Sequence, residues 1–417
     1  MRTYELAESA SPWLGAVPSH WRVSRFGYEA SVNGGQVDPR DEPWASTVLV
    51  APNHIESGTG RILGRETASE QGADSGKYLA RAGQILYSKI RPALNKVTIA
   101  VEDCLCSADM YAMSFRPSVV PRYALYYMLA RPFNSFTTVT SMRVKMPKIN
   151  REELAAGPWL VPPSDEQQAI VKYLDRETTR IDTLIHEQQR LIAMLRERRA
   201  SVIDSALTPA ELWDRRRIKY IGQTNLGKML DAGRAVRDGD RMRPYVRAAD
   251  VRADGSVNLV DLNSMSFSDA EMEFFDLRAG DVLLIEGGAT VGRPGFVFDS
   301  VSGIAFQKTV NRLRVGEQAD PRFVYWSMLR LYDTAYYANH FGAVSFVHLT
   351  GEKLREIELR LPPLDKQRAI ATHLDDQTAK IDSLIAETER FIELSRERRS
   401  ALITAAVTGQ IDVREVA

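Results

Sequence analysis

The chain predicts an α+β protein: two duplicated mixed α/β domains separated by two long antiparallel helices that form an intramolecular coiled coil. Three observations predict it. Residues 162–208 align with 362–408 without a gap, about half of the positions being identical, at an offset of 200 residues. Both copies carry an apolar stripe at helical spacing. Landmarks outside the helices also recur: Pro121-Arg122-Tyr123 with Pro321-Arg322-Phe323, and Ala82-Gly83-Gln84-Ile85-Leu86 with Ala279-Gly280-Asp281-Val282-Leu283. A repeat of so long a period marks a duplicated domain plus helix rather than a solenoid unit.

Each copy of the repeat predicts one long helix. Pro162-Pro163 and Pro362-Pro363 block helix upstream, and Asp165 or Asp365 suits the N-cap. Ser164 with Gln167 fits a capping box. Thr208-Pro209 and Thr408-Gly409 supply the stops. Between them Ile170, Leu174, Ile181, Leu184, Leu191 and Leu195 follow three- and four-residue steps, and Ile370, Leu374, Ile381, Leu384, Phe391 and Leu402 follow them in the second copy. Polar residues such as Gln188, Thr388 and Ser395 interrupt the stripe, as register-setting positions do in coiled coils. Such a helix spans roughly 65 Å. Its partner is expected to be the other copy, with the alternative that each helix packs only on its own domain.

The domain boundaries follow: a first domain at 1–161, the first helix at 162–208, a second domain at 209–361, and the second helix with a C-terminal tail at 362–417. In the first domain, Thr47–Val50, Gln84–Tyr87, Lys96–Val101 and Tyr111–Phe115 predict strands, and Pro121–Ala130 a short helix opened by proline. The second domain repeats this outline, but residues 61–76 and 287–295 have no evident counterpart. A retained frame with divergent loops suits two domains doing one kind of job on two targets.

Composition excludes more than it selects. The hydrophobic share of 44% is ordinary for a globular protein, and the formal net charge is +0, so any nucleic-acid site must come from local clustering. The two cysteines, Cys104 and Cys106, form a lone Cys-x-Cys, neither a zinc site nor a disulfide framework, which suits a reducing cytoplasm. No signal-peptide pattern and no bilayer-long apolar run is seen. The six histidines are scattered and no metal set emerges. Gly287-Gly288-Ala289-Thr290-Val291-Gly292 has phosphate-loop glycine spacing, but Arg293-Pro294 stands where Lys-Ser/Thr is required. No nucleophile, paired carboxylate or amino-methylating motif is evident; the chain looks built for recognition without a catalytic or cofactor site.

Local basic clusters are more informative. Arg143, Lys145 and Lys148 fall in one acid-free run, and Lys89 and Arg91 flank a strand exit. In the second domain Arg241, Arg243 and Arg247 surround Pro244-Tyr245, Arg293 follows the glycine-rich loop, and Lys308, Arg312 and Arg314 sit in an alternating strand. Such groups suit phosphate contacts and bidentate reading of base edges. Each one singly is also what a solvated surface charge looks like.

Taken together, these residues resemble the specificity subunit of type I restriction–modification enzymes. The matching pieces are Pro18-Ser19-His20-Trp21, the run from Gly83 to Pro92, both Pro-Pro-x-Asp-x-Gln-x-Ala-Ile helix starts, and Thr408-Gly409-Gln410-Ile411. The resemblance implies two target recognition domains, each reading half of a bipartite DNA site. It implies helices that set the spacing and dock two methyltransferase subunits, and restriction subunits as further partners. S-adenosylmethionine, ATP and magnesium would then sit on those partners. The family's glycine-rich basic segment has its counterpart at 143–148, whereas 341–348 is nearly uncharged. Two other readings stand beside this one: a coiled-coil adaptor with twin protein-binding domains, and a self-contained modification enzyme.

Overall fold

The computed structural model describes residues 4–32, 34–142, 146–208, 213–229, 239–299, 301–341 and 348–414. The chain divides into two compact units, Met1–Gln189 with Glu389–Ala417, and Arg190–Thr388. Both long helices exist, Ser164–Leu207 and Leu364–Val407, each of 44 residues, and each is cut near its middle by the division. Every unit therefore owns a domain, half of its own helix and half of the other.

In the first unit an antiparallel sheet runs in the order Ala30–Val32, Met110–Phe115, Ile85–Ser88, Val97–Ile99. A second sheet runs Gln36–Val37, Lys77–Ala80, Cys104–Cys106, Leu49–Val50, with its last pair parallel. Helices Pro121–Leu129 and Arg131–Thr140 cover the first sheet's core, each with proline in its first turn, where the missing N–H costs nothing. Trp159, on strand Pro158–Val161, is fully buried, with Tyr127 at 4.4 Å and Phe115 stacked at 5.1 Å between ring centroids. The helix Arg131–Thr140 had no sequence expectation.

The second unit repeats the frame. Gly222–Leu226, Val310–Val315, Val282–Ile285 and Pro294–Phe296 form the antiparallel sheet. Ser264–Phe267, Arg241–Val246 and Ala305–Phe306 form the second sheet, again with one parallel pair. The fold class is as expected.

Within each unit the two half-helices run antiparallel. Ile170 and Leu174 share a core with Ile403, Ala406 and Val407, and Ala371 and Leu374 share one with Ile203 and Leu207. The buried face is rotated from the expected stripe. Leu191, Leu384 and Phe391 are exposed, and Ile192 and Ile392 are buried beside two of them. Leu184, Leu195, Ile370 and Leu402 are only half-buried, whereas Ile181 and Ile381 are buried as expected. The reason is that each half-helix packs on its domain as well as on the other helix, so one seam cannot satisfy both.

The helix starts also differ from expectation. Both helices begin one residue before Asp165 and Asp365, which sit in the first turn, where a negative charge complements the helix dipole. Gln167 forms no capping box. Its amide donates to the Ser118 and Pro162 carbonyls at 2.8 and 2.9 Å and accepts from the Val120 N–H at 2.8 Å. Gln367 does the same for Asp320 N–H and the Pro362 carbonyl. Each glutamine thus pins a domain to its helix. Among the described residues no helix is long and apolar enough to cross a membrane.

Candidate nucleic-acid interface

The structure joins two of the basic clusters in the first unit. Strand Ile85–Ser88 runs on past its end: Lys89 N–H donates to the Asp109 carbonyl at 3.0 Å, and Ile90 bridges Lys148. Arg91 N–H donates to the Pro147 carbonyl at 2.8 Å, and Ile149 N–H to the Lys89 carbonyl at 2.9 Å. This short ribbon gathers Lys89, Arg91 and Lys148 on one edge, with Arg91 and Lys148 exposed. Arg143 and Lys145 lie outside the described residues.

Arg151 completes the group. It opens the short helix Arg151–Ala155, whose Asn150 N-cap accepts from Glu153 N–H at 2.8 Å, and its guanidinium lies 5.8 Å from the Tyr111 ring centroid. Lys89 Nζ lies 5.5 Å from the same ring and donates to the Ala108 carbonyl. Burial, and then the charge of Lys148, holds the Lys89 ammonium below its ordinary value, with Arg151 acting in the same sense and Asp109 opposing. Beyond burial, the charges of Lys148 and Arg151 add positive potential at Lys89, as an anion site requires. Arg151 was missed from sequence because it lies beyond the Pro147 run, and only the ribbon brings it back.

The second unit builds the same ribbon from different residues. Glu286 N–H donates to the Thr309 carbonyl at 2.9 Å, Gly287 bridges His348, and Leu349 N–H donates to the Glu286 carbonyl at 2.7 Å. Glu286 therefore stands where Lys89 does, Gly288 where Arg91 does, and His348 where Lys148 does. Glu286 and His348 pair at 3.2 Å. The expectation that residues 287–295 have no counterpart is corrected: 287–292 match 90–95 in length, in the bridge at Ile90 and Gly287, and in the turn hydrogen bond that follows.

The other candidates of the second unit do not form one cluster. Arg241 registers with Phe267 and Val246 with Phe306, so Arg241 opens a six-residue strand and Arg247 follows its last residue, roughly 20 Å away. Arg241 is exposed and Arg243 half-buried. Arg247 pairs with Asp250 at 3.1 Å. Lys308 is exposed, beside Lys228, which Glu271 holds at 2.8 Å. Arg293 lies over the Tyr332 ring at 5.8 Å.

Arg312 is corrected outright. It is 3% exposed and donates to the Asp276 carbonyl and to Asn225 Oδ1, both at 2.9 Å. Burial first, with Arg314 adding like charge, pushes its guanidinium down to about 10. Arg314 pairs with buried Asp281 at 2.7 Å. Alternation misled because Val310–Val315 is a central strand with both faces covered.

Groups of His, Cys, Asp and Glu able to hold a metal are absent among the described residues. Cys104 and Cys106 are buried, and burial raises both thiols, to about 11 and about 12. That is the behaviour of packing residues rather than nucleophiles.

Known proteins resemble this chain in sequence or in fold. The EcoDI type I restriction enzyme specificity subunit of Escherichia coli is 35% identical over 193 residues, covering 46% of this chain and 43% of that protein. The EcoBI specificity subunit of the same organism is 33% identical over 102 residues, or 24% of this chain and 21% of that one. The chain thus matches less than half the length of these curated relatives. A chain from a solved structure on complex assembly and conformational transition of the type I R-M system superposes with a TM-score of 0.76 at 16% identity, covering 95% of this chain and 99% of that one. The HsdS subunit from Thermoanaerobacter tengcongensis superposes at 0.54 and 17% identity, covering 95% and 98%. These two show the fold. Residues 37–192 and 210–393 each match the type I restriction modification DNA specificity domain, and with one match lying across each repeat, the chain belongs to that family.

Proposed function

We propose that this chain is the DNA-reading subunit of a type I restriction–modification assembly and has no catalytic site of its own. The first unit reads one half of a bipartite duplex site and the second reads the other. The two long helices set the spacing between the half-sites and dock two modification subunits; restriction subunits join that assembly. The methyl donor, the nucleotide and its metal belong to those partners.

One observation carries this reading. The same ribbon occurs in both units, but it holds Lys89, Arg91 and Lys148 in one and Glu286, Gly288 and His348 in the other. A retained frame with altered contact residues is how one fold reads two different sequences. An adaptor with twin protein-binding domains would also tolerate divergent loops, but family membership favours DNA.

The test is methylated-base sequencing of the native host with the gene intact and deleted. Loss of one split, adenine-methylated motif on deletion supports the reading and reveals both half-sites. Co-purification with a methyltransferase and a steep fall of DNA affinity with added salt separate it from the adaptor.

A further inference from the structure

We propose that Arg91 reads a base, by preference a guanine, in the half-site of the first unit, and that Lys148 beside it contacts only phosphate. This sorts the contacts within the function proposed above and rests on it.

The argument starts from two hairpins of equal length. In the first unit Ser88 N–H donates to the Lys96 carbonyl, and in the second Ile285 N–H donates to that of Arg293. Within each, the same turn recurs: Leu94 N–H donates to the Arg91 carbonyl at 2.9 Å, and Val291 N–H to the Gly288 carbonyl at 3.2 Å. Both turns need two left-handed residues. The second unit uses Gly288 at φ 88 and Gly292 at φ 79; the first uses Arg91 at φ 47 and Asn95 at φ 44.

Three of these four residues have a structural reason for their identity. At Gly292 an added Cβ would lie 2.3 Å from the Tyr337 ring. At Gly288 nothing lies within 4 Å, so glycine there serves only the backbone angle. Asn95 belongs to the residue types that tolerate the left-handed region, and its side chain donates to the Leu129 carbonyl at 3.0 Å. Arg91 has no such reason. Its side chain is exposed, and a scaffold-only role would take glycine, as the second unit does.

The surroundings hold Arg91 in this conformation. Its N–H is taken by the Pro147 carbonyl, and the next residue, Pro92, is buried and receives Asn134 Nδ2 at 3.0 Å. An over-determined backbone outlier carrying an exposed side chain is the pattern of a functional position. Met146, across the ribbon, is a second exposed left-handed residue, at φ 49. A pre-aimed guanidinium fork matches O6 and N7 of guanine, whereas the Lys148 ammonium is a point charge suited to phosphate.

The test keeps the full chain in its native host with all partner subunits, and reads the methylated motif for wild type, deletion, Arg91→Gly, Arg91→Lys and Lys148→Gln. For both Arg91 variants, one guanine of the first half-site is expected to become degenerate, discrimination there falling roughly ten-fold or more. The second half-site and the spacing stay as they are. Lys148→Gln is expected to keep the motif and lower its occupancy evenly. Purified Arg91→Gly is expected to melt at or above wild type, since glycine suits the backbone better.

An Arg91→Gly variant that changes only occupancy, or nothing, overturns base reading. So does one that abolishes all methylation while melting normally, or one that changes the second half-site. Loss of the fold in Arg91→Gly would overturn the claim that Arg91 stands there for its side chain. If deletion of the gene leaves the methylated motifs unchanged, the DNA-reading function itself fails and the proposal falls with it.

Discussion

Arg399, in the second long helix, pairs with Asp182 of the first at 2.9 Å, and its remaining donors reach the carbonyls of Gly58 and Thr59 at 3.2 Å. Gly58 N–H in turn donates at 3.0 Å to the carbonyl of Asn95, the second left-handed residue of the Arg91 turn. A continuous set of hydrogen bonds therefore runs from helix to the Arg91 loop inside the first unit. Arg399 is 8% exposed in its side chain, so removing it strands two carbonyls as well as the ion pair. Arg399→Ala is expected to cost about 2 kcal/mol in calorimetric unfolding, in the range for hydrogen bonds to a charged group. It is also expected to blur the first half-site in methylated-motif sequencing while sparing the second. The counterpart Arg199, 20% exposed and paired with Asp382 at 2.8 Å, lies over Trp326 instead of on a loop. Its loss should cost less, about 1 kcal/mol, with no effect on the first half-site.

Gln167 is fully buried and makes three hydrogen bonds, two to the domain at Ser118 and Val120 and one back to Pro162. Gln167→Ala removes all three and leaves a cavity. A loss of about 3 kcal/mol is expected in chemical denaturation, since each abandoned group carries a desolvation penalty. Gln167→Glu should be worse at neutral pH than at pH 4, because an ionised carboxylate would face the Ser118 and Pro162 carbonyls. A pH-independent loss would show that the amide donors do not matter.

Much of the fold was legible because the long repeat shows identity at matched positions, and proline marks each helix start. What was not legible has separable causes. The rotation from Leu191 to Ile192 depends on domain packing, which helix periodicity does not encode. Arg312 looked solvent-facing because alternation assumes a half-exposed sheet, and its strand is central. Gln167 fits a capping pattern, yet its amide is claimed by the domain. The match of 287–292 with 90–95 was hidden because glycine and Arg/Asn spell the same backbone angles differently.

Glu29 gives the first unit an acid-sensitive element. It is 2% exposed, accepts from Arg22 Nη1 at 2.7 Å and from Ser24 Oγ at 2.6 Å, and these contacts, Arg22 first, hold its carboxyl below the ordinary value. A folded value below the unfolded one means the stabilisation is present above the ordinary carboxylate pKa of about 4.3 and is lost as pH falls through the folded value. Glu29→Gln is therefore expected to lower the melting temperature at pH 7 and to flatten its decline below pH 4.5. Parallel curves for the two proteins would refute the linkage.

Arg312 and Lys148 give opposite expectations for DNA binding. Arg312→Met, which removes a buried cation, is expected to change stability but leave the salt dependence of DNA binding by the assembled complex unchanged. Lys148→Gln should reduce that slope by about 0.9, one phosphate's share of counterion release. A reduced slope for Arg312→Met would place the arginine at the DNA despite its burial.

The C-terminal tail closes on the start of the chain at Gly409. This residue ends the second long helix at φ 73, where Gln410 N–H donates to the Ala405 carbonyl at 2.8 Å and Gln410 Nε2 to that of Ala16 at 2.8 Å. A Cβ here would lie 2.2 Å from Pro18 Cγ and 3.3 Å from the Trp21 ring. Gly409→Ala thus meets two costs: left-handed strain of about 1 kcal/mol, and an overpacking cost of about 1–3 kcal/mol. Gly83→Ala is the control, with φ 85 and nothing within 4 Å of the added Cβ, so it carries the strain alone. Chemical denaturation of both should show Gly409→Ala less stable than Gly83→Ala by the overpacking cost. Equal losses would mean that Pro18 yields freely and that the tail does not bind the start of the chain tightly.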